Sequence, residues 1–161
     1  MNKVKFYKGL PGCGKTFDAE KWASENPNVT IVCKDDIRKS FGVIVGDETT
    51  RVKEKKVVAK RDELILEALS KGKDIAVCDT NLNPLHEKNV RSLVFPKYRE
   101  TYSFEIKDFR DVPVELCIER CSKRAEGKDF WKGVIMKMKN EFMVPRKLYT
   151  EVGYFDGVLP K

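Results

Sequence analysis

Apolar runs alternate with helical patterns along this chain, which is the order from which parallel βαβ sheets are built. Short apolar runs predict strands over residues 4–8, 29–33, 75–78 and 102–107. Helical spacing and starting prolines predict helices over residues 15–25, 34–41, 50–70, 84–97, 113–124 and 131–142. The pattern therefore predicts an α/β fold, with a central parallel sheet of about four strands flanked by helices.

No repeat, low-complexity stretch or long linker divides the 161 residues. Because this length suits one hydrophobic core, we expect a single domain over residues 1–161. A loop is predicted over residues 41–47, and the role of the tail over residues 145–161 stays open.

Composition narrows the class of protein. The net charge of +7 attracts phosphates and favours a nucleic-acid partner, although a lysine-rich surface kept soluble by charge has the same composition. No apolar run approaches the roughly 20 residues that span a bilayer, and the N-terminus lacks a signal peptide, so we expect a cytoplasmic protein without a membrane partner. The five cysteines lack CxxC spacing, which favours reduced thiols over a zinc site.

Residues 9–16 read GLPGCGKT and match the phosphate-binding motif GxxxxGK[ST]. Glycines let the backbone curl so that N–H groups point at phosphate oxygens, and the following helix adds its positive dipole end. Lys15 is expected to reach the β- and γ-phosphates of ATP, and Thr16 to place its hydroxyl on Mg²⁺. The predicted ATP-binding residues of the loop are Gly9, Gly12, Cys13, Gly14, Lys15 and Thr16.

The rest of the chain favours a small kinase among P-loop proteins. It lacks an NKxD-type guanine-reading motif. The strand over residues 75–78 ends in one acid, Asp79, whereas motor and AAA-type ATPases usually carry adjacent acids there. Since ligands bind beyond the carboxyl ends of parallel strands, the segments 9–16, 35–36 and 79–81 should converge on one edge of a P-loop kinase fold.

Carboxylates for phosphoryl transfer are available beside this loop. Transfer to a hydroxyl needs a carboxylate that orients and deprotonates it, together with cations on the developing charge. Asp35 and Asp36 supply carboxylates, and Arg38 lies on the same helical face as Asp35. A helix N-cap acid with a surface arginine is an equally good interpretation from spacing alone.

A second basic group lies further along the chain. Arg120, Lys123 and Arg124 follow a helical pattern, with Arg120 and Arg124 on one predicted helix. They could form a lid whose arginines clamp ATP phosphates. Spacing alone favours the simpler interpretation, a solvated cationic helix end that complements the helix dipole.

Four segments together resemble the kinase domain of the bacteriophage polynucleotide 5′-kinases. They are GLPGCGKT at residues 9–16, KDDIR at 34–38, DTNLNP at 79–84 and RCSKR at 120–124. The resemblance covers residues 1–144 in the same order. It implies that ATP, with Mg²⁺, phosphorylates 5′-hydroxyl ends of DNA or RNA during nucleic-acid repair, in the host cytoplasm if the chain is phage-encoded.

The resemblance also implies roles for individual residues. Asp35 would be the general base on the 5′-hydroxyl, and Arg38 would hold the 3′ phosphate of the terminal nucleotide. Asp79 would support the metal and acceptor region, with Thr80 near the acceptor. The lid over the ATP phosphates would include Arg124, and also Arg120. The implied catalytic residues are therefore Asp35, Lys15 and Arg124.

Other interpretations remain open at this point. The chain has no DxDxT-like motif, so we predict no 3′-phosphatase activity. Phe130 and Trp131 could stack on a base or form an apolar staple, and we favour the staple. A small-molecule kinase, or an ATP-dependent binding module without transfer activity, would use the same loop. The sequence does not distinguish DNA from RNA, and it does not specify the nucleoside triphosphate or the oligomeric state.

Overall fold

The computed structural model describes residues 1–42 and 50–143, and side chains from residue 53 onward in the second range. Most of the predicted loop over residues 41–47, and the tail over 145–161, lie outside these ranges. The strands are β1 (Asn2–Lys8), β2 (Val29–Val32), β3 (Asp74–Cys78) and β4 (Tyr102–Asp108). The helices are α1 (Lys15–Glu25), α2 (Lys34–Ser40), α3 (Thr50–Ser70), α4 (Pro84–Val94), α5 (Val114–Cys121) and α6 (Lys128–Phe142).

The four strands form one parallel sheet in the order β2-β3-β1-β4. Val4 of the central strand pairs with Ile75 on one side and with Phe104 on the other. All four strands therefore end at the same edge, where P-loop ligands bind. The predicted α/β fold is confirmed, with four strands and six flanking helices within the described residues.

Alternation along the strands gives the sheet two buried faces. Val4 and Phe6 of β1 point to one face and pack in a cluster with Ile65 of α3 and Val90 of α4. Tyr7 points to the opposite face, where α1 covers it. Because both faces of the sheet are covered by helices, the strands are apolar on both sides, as parallel sheets require.

A third cluster lies beneath the glycine-rich loop. Its buried members are Leu10, Cys13, Cys117, Cys121, Trp131 and Ile135. They join the loop to α5 and α6, so the two helices that flank Lys123 and Arg124 pack directly against the loop. All five cysteines of the chain are free thiols.

Three helix ends lie three residues away from the predicted ones. Helix α4 ends at Val94 rather than residue 97, because Pro96 has no N–H for the helix and disfavours helical geometry at Phe95. Helix α5 ends at Cys121, and Arg124 lies in the turn beyond it, so the prediction that Arg120 and Arg124 share a helix is wrong. Helix α6 begins at Lys128 rather than residue 131, after Gly127 at φ 85°.

None of the helices within the described ranges combines the length and apolar character that a bilayer crossing requires.

Candidate active site

The glycine-rich loop connects β1 to α1 at the carboxyl edge of the sheet. Gly12 and Gly14 adopt φ values of 81° and 104°, which side chains rarely tolerate. A Cβ at Gly12 would lie 2.7 Å from the carbonyl oxygen of Cys117. The N–H of Gly9 donates to the carbonyl of Thr80 at 3.0 Å, which ties the loop to the segment after β3. The glycines therefore permit both the curl of the loop and its close contact with α5.

Lys15 is buried at the start of α1. Its Nζ donates to the carbonyl oxygens of Gly9 and Leu10, each at 2.9 Å, and lies 3.4 Å from Cys13 Sγ. The ammonium is thus folded back onto its own loop, where phosphate oxygens can replace the carbonyls as acceptors.

Thr16 and Asp79 bring together oxygen atoms suited to a magnesium ion. Thr16 Oγ1 lies 3.8 Å from Cys78 Sγ, so the first turn of α1 contacts the end of β3. Asp79, only 7% exposed, accepts the Lys34 N–H on Oδ1 at 2.7 Å. Its Oδ2 is buried and has no hydrogen-bond partner among the described residues. Burial raises the pKa of Asp79. A hydroxyl and a free carboxylate oxygen are ligands that Mg²⁺ accepts alongside ATP phosphates, so these residues fit the ion.

Asp35, Arg38 and Glu54 form a cluster of charged side chains on α2 and α3, in the same cleft as Lys15. Arg38 Nη1 donates to Asp35 Oδ1 at 2.7 Å. Arg38 Nε and Nη2 donate to the two carboxylate oxygens of Glu54 at 3.0 and 2.6 Å, a bidentate pair between α2 and α3. Burial opposes the charge on Arg38, but the hydrogen bonds that it donates to Glu54 outweigh this effect and raise the pKa of the guanidinium. The same hydrogen bonds lower the pKa of Glu54.

Asp35 itself remains open to the solvent in the cleft. Its side chain is 72% exposed, and Arg38 occupies only Oδ1. The interpretation of Asp35 as a mere helix cap receives no support, because α2 has no side-chain cap hydrogen bond and its N-cap is Cys33.

The two arginines of the predicted lid have different partners. Arg120 Nη1 donates to the carbonyl of Gly12 at 3.1 Å, so α5 contacts the glycine-rich loop directly. The Arg124 guanidinium lies over the Trp131 ring, 4.7 Å from its centroid. Trp131 packs edge-on against Phe130 in the cluster beneath the loop, and both residues lie within α6 rather than at its start. Its Nε1 has no partner among the described residues.

One cleft of about 1280 Å³ connects these groups. The predicted site residues that line it are Gly12, Lys15, Thr16, Asp35, Arg38, Asp79, Thr80 and Arg124. The other predicted residues, Gly9, Cys13, Gly14 and Arg120, lie in or against the loop but outside this lining. The cleft also contains Glu54, Lys34 and Trp131, which sequence reasoning did not assign to the site.

The fold and the cleft together define a P-loop protein with the kinase fold. The chain belongs to the AAA domain family, whose model matches residues 4–145. The inference that one acid after β3 separates the chain from AAA-type proteins is therefore wrong at the level of the family. The P-loop of this family implies ATP binding.

Solved structures share the fold at low sequence identity. A chain of the Pnkp1/Rnl/Hen1 RNA repair complex aligns with a TM-score of 0.67 and 23% identity, over 96% of this chain and 46% of that one. A second structure of the Pnkp1/Rnl/Hen1 complex aligns with a TM-score of 0.62 and 23% identity, over 74% of this chain and 39% of that one. This chain thus spans less than half the length of either. A gluconokinase from Sinorhizobium meliloti 1021 aligns with a TM-score of 0.49 and 15% identity, over 85% of this chain and 74% of that one. No curated protein matches.

Proposed function

We propose that this protein is a polynucleotide 5′-hydroxyl kinase, which transfers the γ-phosphoryl group of ATP to the 5′ end of DNA or RNA during nucleic-acid repair. The observation that carries the proposal is the Asp35–Arg38 pair, held by Glu54, in the same cleft as Lys15. An acceptor hydroxyl at Asp35 and a phosphate chain at Lys15 would meet there. The resemblance over residues 1–144 and the fold shared with a chain of an RNA repair complex support this substrate class.

The acceptor side of the reaction is assigned to α2. The 5′-oxygen attacks the γ-phosphorus, and the bond from that phosphorus to the β,γ-bridging oxygen breaks as ADP leaves. Asp35 accepts the proton of the hydroxyl on Oδ2, because Oδ1 already accepts from Arg38. Arg38, fixed by Glu54, holds the phosphate next to the terminal nucleoside.

The donor side is assigned to the loop and the lid. Lys15 exchanges its loop carbonyls for the β- and γ-phosphate oxygens. Arg124 leaves the Trp131 ring to stabilise the charge that develops during transfer, with Arg120 beside the loop. Thr16 and Asp79 would hold Mg²⁺. When bound, this ion supplies positive charge to the β- and γ-phosphate oxygens.

The test measures transfer of labelled γ-phosphate from ATP, with Mg²⁺, to DNA and RNA single strands of one sequence bearing a 5′-hydroxyl. We expect labelled product from the wild type and at least a hundredfold slower transfer by Asp35→Asn, since loss of a general base costs about that much. Asp111→Asn is the control, because it removes an exposed carboxylate that lies outside the cleft lining. We expect it to retain activity.

Strands that already carry a 5′-phosphate should accept no label. If the wild type binds ATP but labels no 5′-hydroxyl strand of either kind, the polynucleotide assignment is overturned. A screen of nucleosides, nucleotides and sugars as acceptors would then follow.

A further inference from the structure

Lys34 is a buried lysine that opens on the cleft. Lys34 is the first residue of α2 and is only 5% exposed. Its side chain belongs to the lining of the cleft. The backbone N–H of Lys34 donates to Asp79 Oδ1, which fixes the residue between the end of β3 and α2. Within residues 1–42 and 53–143, no hydrogen bond or ion pair holds its ammonium group.

The side chain of Lys34 is buried, but its ammonium is not among the fully buried polar atoms that lack a partner, so the charged group reaches the cleft. Glu54 is engaged with Arg38, and Asp79 Oδ1 accepts the backbone N–H of Lys34, while Asp79 Oδ2 has no hydrogen-bond partner among the described residues. Neither carboxylate forms a hydrogen bond or ion pair with the Lys34 ammonium, so an anion bound in the cleft would supply the acceptor that this group lacks.

The position of Lys34 indicates which anion this is. Lys34 and Arg38 are one helical turn apart, on the cleft-facing side of α2. Three donor groups of Arg38 are used by Asp35 and Glu54, whereas the three N–H donors of Lys34 are free toward the described residues. The loop proposed to receive the ATP phosphates leads into α1. Lys34, in contrast, directly precedes Asp35 in α2, where the acceptor is proposed to bind.

We propose that Lys34 binds a phosphate oxygen of the acceptor and forms, with Arg38, a two-cation phosphate subsite next to the general base. This inference deepens the proposed function and rests on its assignment of Asp35 and Arg38. Lys34 is then a substrate-binding residue that selects acceptors with a phosphate near the reacting hydroxyl. A phosphate of ATP shares the same chemistry, and the test separates the two sources.

The test measures binding by calorimetry, without transfer. The probes are a nucleoside 3′-monophosphate, the same nucleoside without phosphate, and ATP. We expect Lys34→Met to raise the Kd for the nucleoside 3′-monophosphate about tenfold or more, since a charge-assisted hydrogen bond is lost. The Kd for ATP should change less than twofold. Lys34→Arg keeps the charge and should recover part of the affinity for the monophosphate.

Lys21→Met is the control for net charge, because this exposed lysine lies on α1 outside the cleft lining. Circular dichroism of each variant verifies the fold. If the wild type does not prefer the monophosphate over the nucleoside, or if Lys34→Met keeps the full preference, the proposal is overturned. It is equally overturned if Lys34→Met weakens the binding of ATP and leaves the binding of the monophosphate unchanged.

Failure of this proposal is distinguishable from failure of the proposed function. Labelled transfer to a 5′-hydroxyl strand together with unchanged monophosphate binding by Lys34→Met leaves the kinase assignment intact and removes Lys34 from the acceptor site. Lys34-dependent phosphate binding without any strand labelling leaves the subsite intact and redirects the search for its acceptor.

Discussion

The guanidinium of Arg38 is held in a single orientation by two carboxylates. Asp35 and Glu54 occupy it from α2 and α3, and the bidentate contact with Glu54 fixes the plane of the guanidinium group. A phosphate that meets Arg38 therefore encounters donors whose direction is already set, which lowers the entropy cost of binding.

Glu54→Gln should loosen this orientation while keeping the shape of the side chain. We expect the KM for a 5′-hydroxyl strand to rise about tenfold, the cost of one weakened charge-assisted contact. The Kd for ATP should stay the same, because among the described residues no hydrogen bond or ion pair joins Glu54 to the loop. Steady-state kinetics with each substrate varied in turn measure both. An increase in the KM for ATP alone would contradict the positioning role.

His86 should stay neutral down to acidic pH. Burial first, then the nearby charges of Lys34 and Arg61, lower its pKa from 6.5 to about 4. Arg61 Nη1 lies 3.3 Å from Nδ1, and because arginine can only donate, Nδ1 must accept. Since this is the only histidine of the chain, its ring proton resonance can be followed directly by NMR. A titration midpoint near 6.5 would contradict the buried contact.

The lowered pKa has a defined consequence for stability. Between pH 6.5 and 4 the unfolded chain binds a proton at His86 that the folded chain does not, so the free energy of unfolding falls as the pH is lowered through this window. His86→Asn keeps an acceptor near Arg61 but cannot titrate. We expect its unfolding free energy, from urea titrations, to depend less on pH in this window, and to run parallel to the wild type above pH 6.5.

Residues in short motifs could be predicted from sequence, and residues joined only by the fold could not. Lys15, Thr16, Asp35, Arg38 and Asp79 lie within motifs at the ends of strands, and the structure brings all of them to one cleft. Glu54 is 16 residues from Arg38, on a helix whose first turns carry no motif. Lys34 lies in the KDDIR segment without a predicted role, and only the fold shows that its side chain is buried.

At the scale of elements, the loop and α5 depend on each other. Gly12 lies so close to α5 that a Cβ there would meet both the Cys117 carbonyl at 2.7 Å and Cys121 Sγ at 2.8 Å. Backbone and buried sulfur cannot move aside easily, so a substitution at Gly12 must separate the loop from the helix.

Gly12→Ala should therefore destabilise the protein more than left-handed backbone strain alone. Gly72→Ala is the matched control, since Gly72 also has positive φ, at 65°, but nothing lies within 4 Å of its Cβ position. We expect a loss of about 1 kcal/mol for Gly72→Ala and about 3 kcal/mol for Gly12→Ala in urea unfolding. Equal losses would show that the contact with α5 relaxes without cost.

The centres of the elements were predictable, whereas several ends were not. Apolar periodicity marks the buried face of α3 or the run of β3, and both lie where the sequence predicts them. The end of α5 has no proline or glycine signal, because Cys121 is followed by residues that can extend a helix. The third cluster, where Cys121 packs under the loop, is a tertiary feature that the local sequence does not encode.

At the scale of the whole molecule, the net charge of +7, together with the cations Lys34 and Arg38 in the cleft, favours a polyanionic ligand. Raising the salt concentration should weaken binding of a single strand, with a slope near −1.4 in a double-logarithmic plot if Lys34 and Arg38 make two phosphate contacts. Lys34→Met should reduce the slope by about 0.7. Fluorescence anisotropy of a dye-labelled strand measures both.

A strand whose backbone is made of uncharged methylphosphonates is the control, and its binding should be nearly independent of salt. A charged strand that binds with no salt dependence would argue against contacts to its phosphates.

The stacking of Arg124 on Trp131 allows changes in the cleft to be followed by intrinsic tryptophan fluorescence. The chain has two tryptophans, and Trp22 lies away from the cleft, beneath Lys5 on the opposite face of the sheet. In a Trp22→Phe chain the intrinsic emission comes from one indole, whose ring is covered by a cation. Departure of Arg124 toward a phosphate would change the electrostatic field on that ring, and the wavelength of emission would shift. The proposed movement of Arg124 can thus be timed in a stopped-flow instrument without attaching any label.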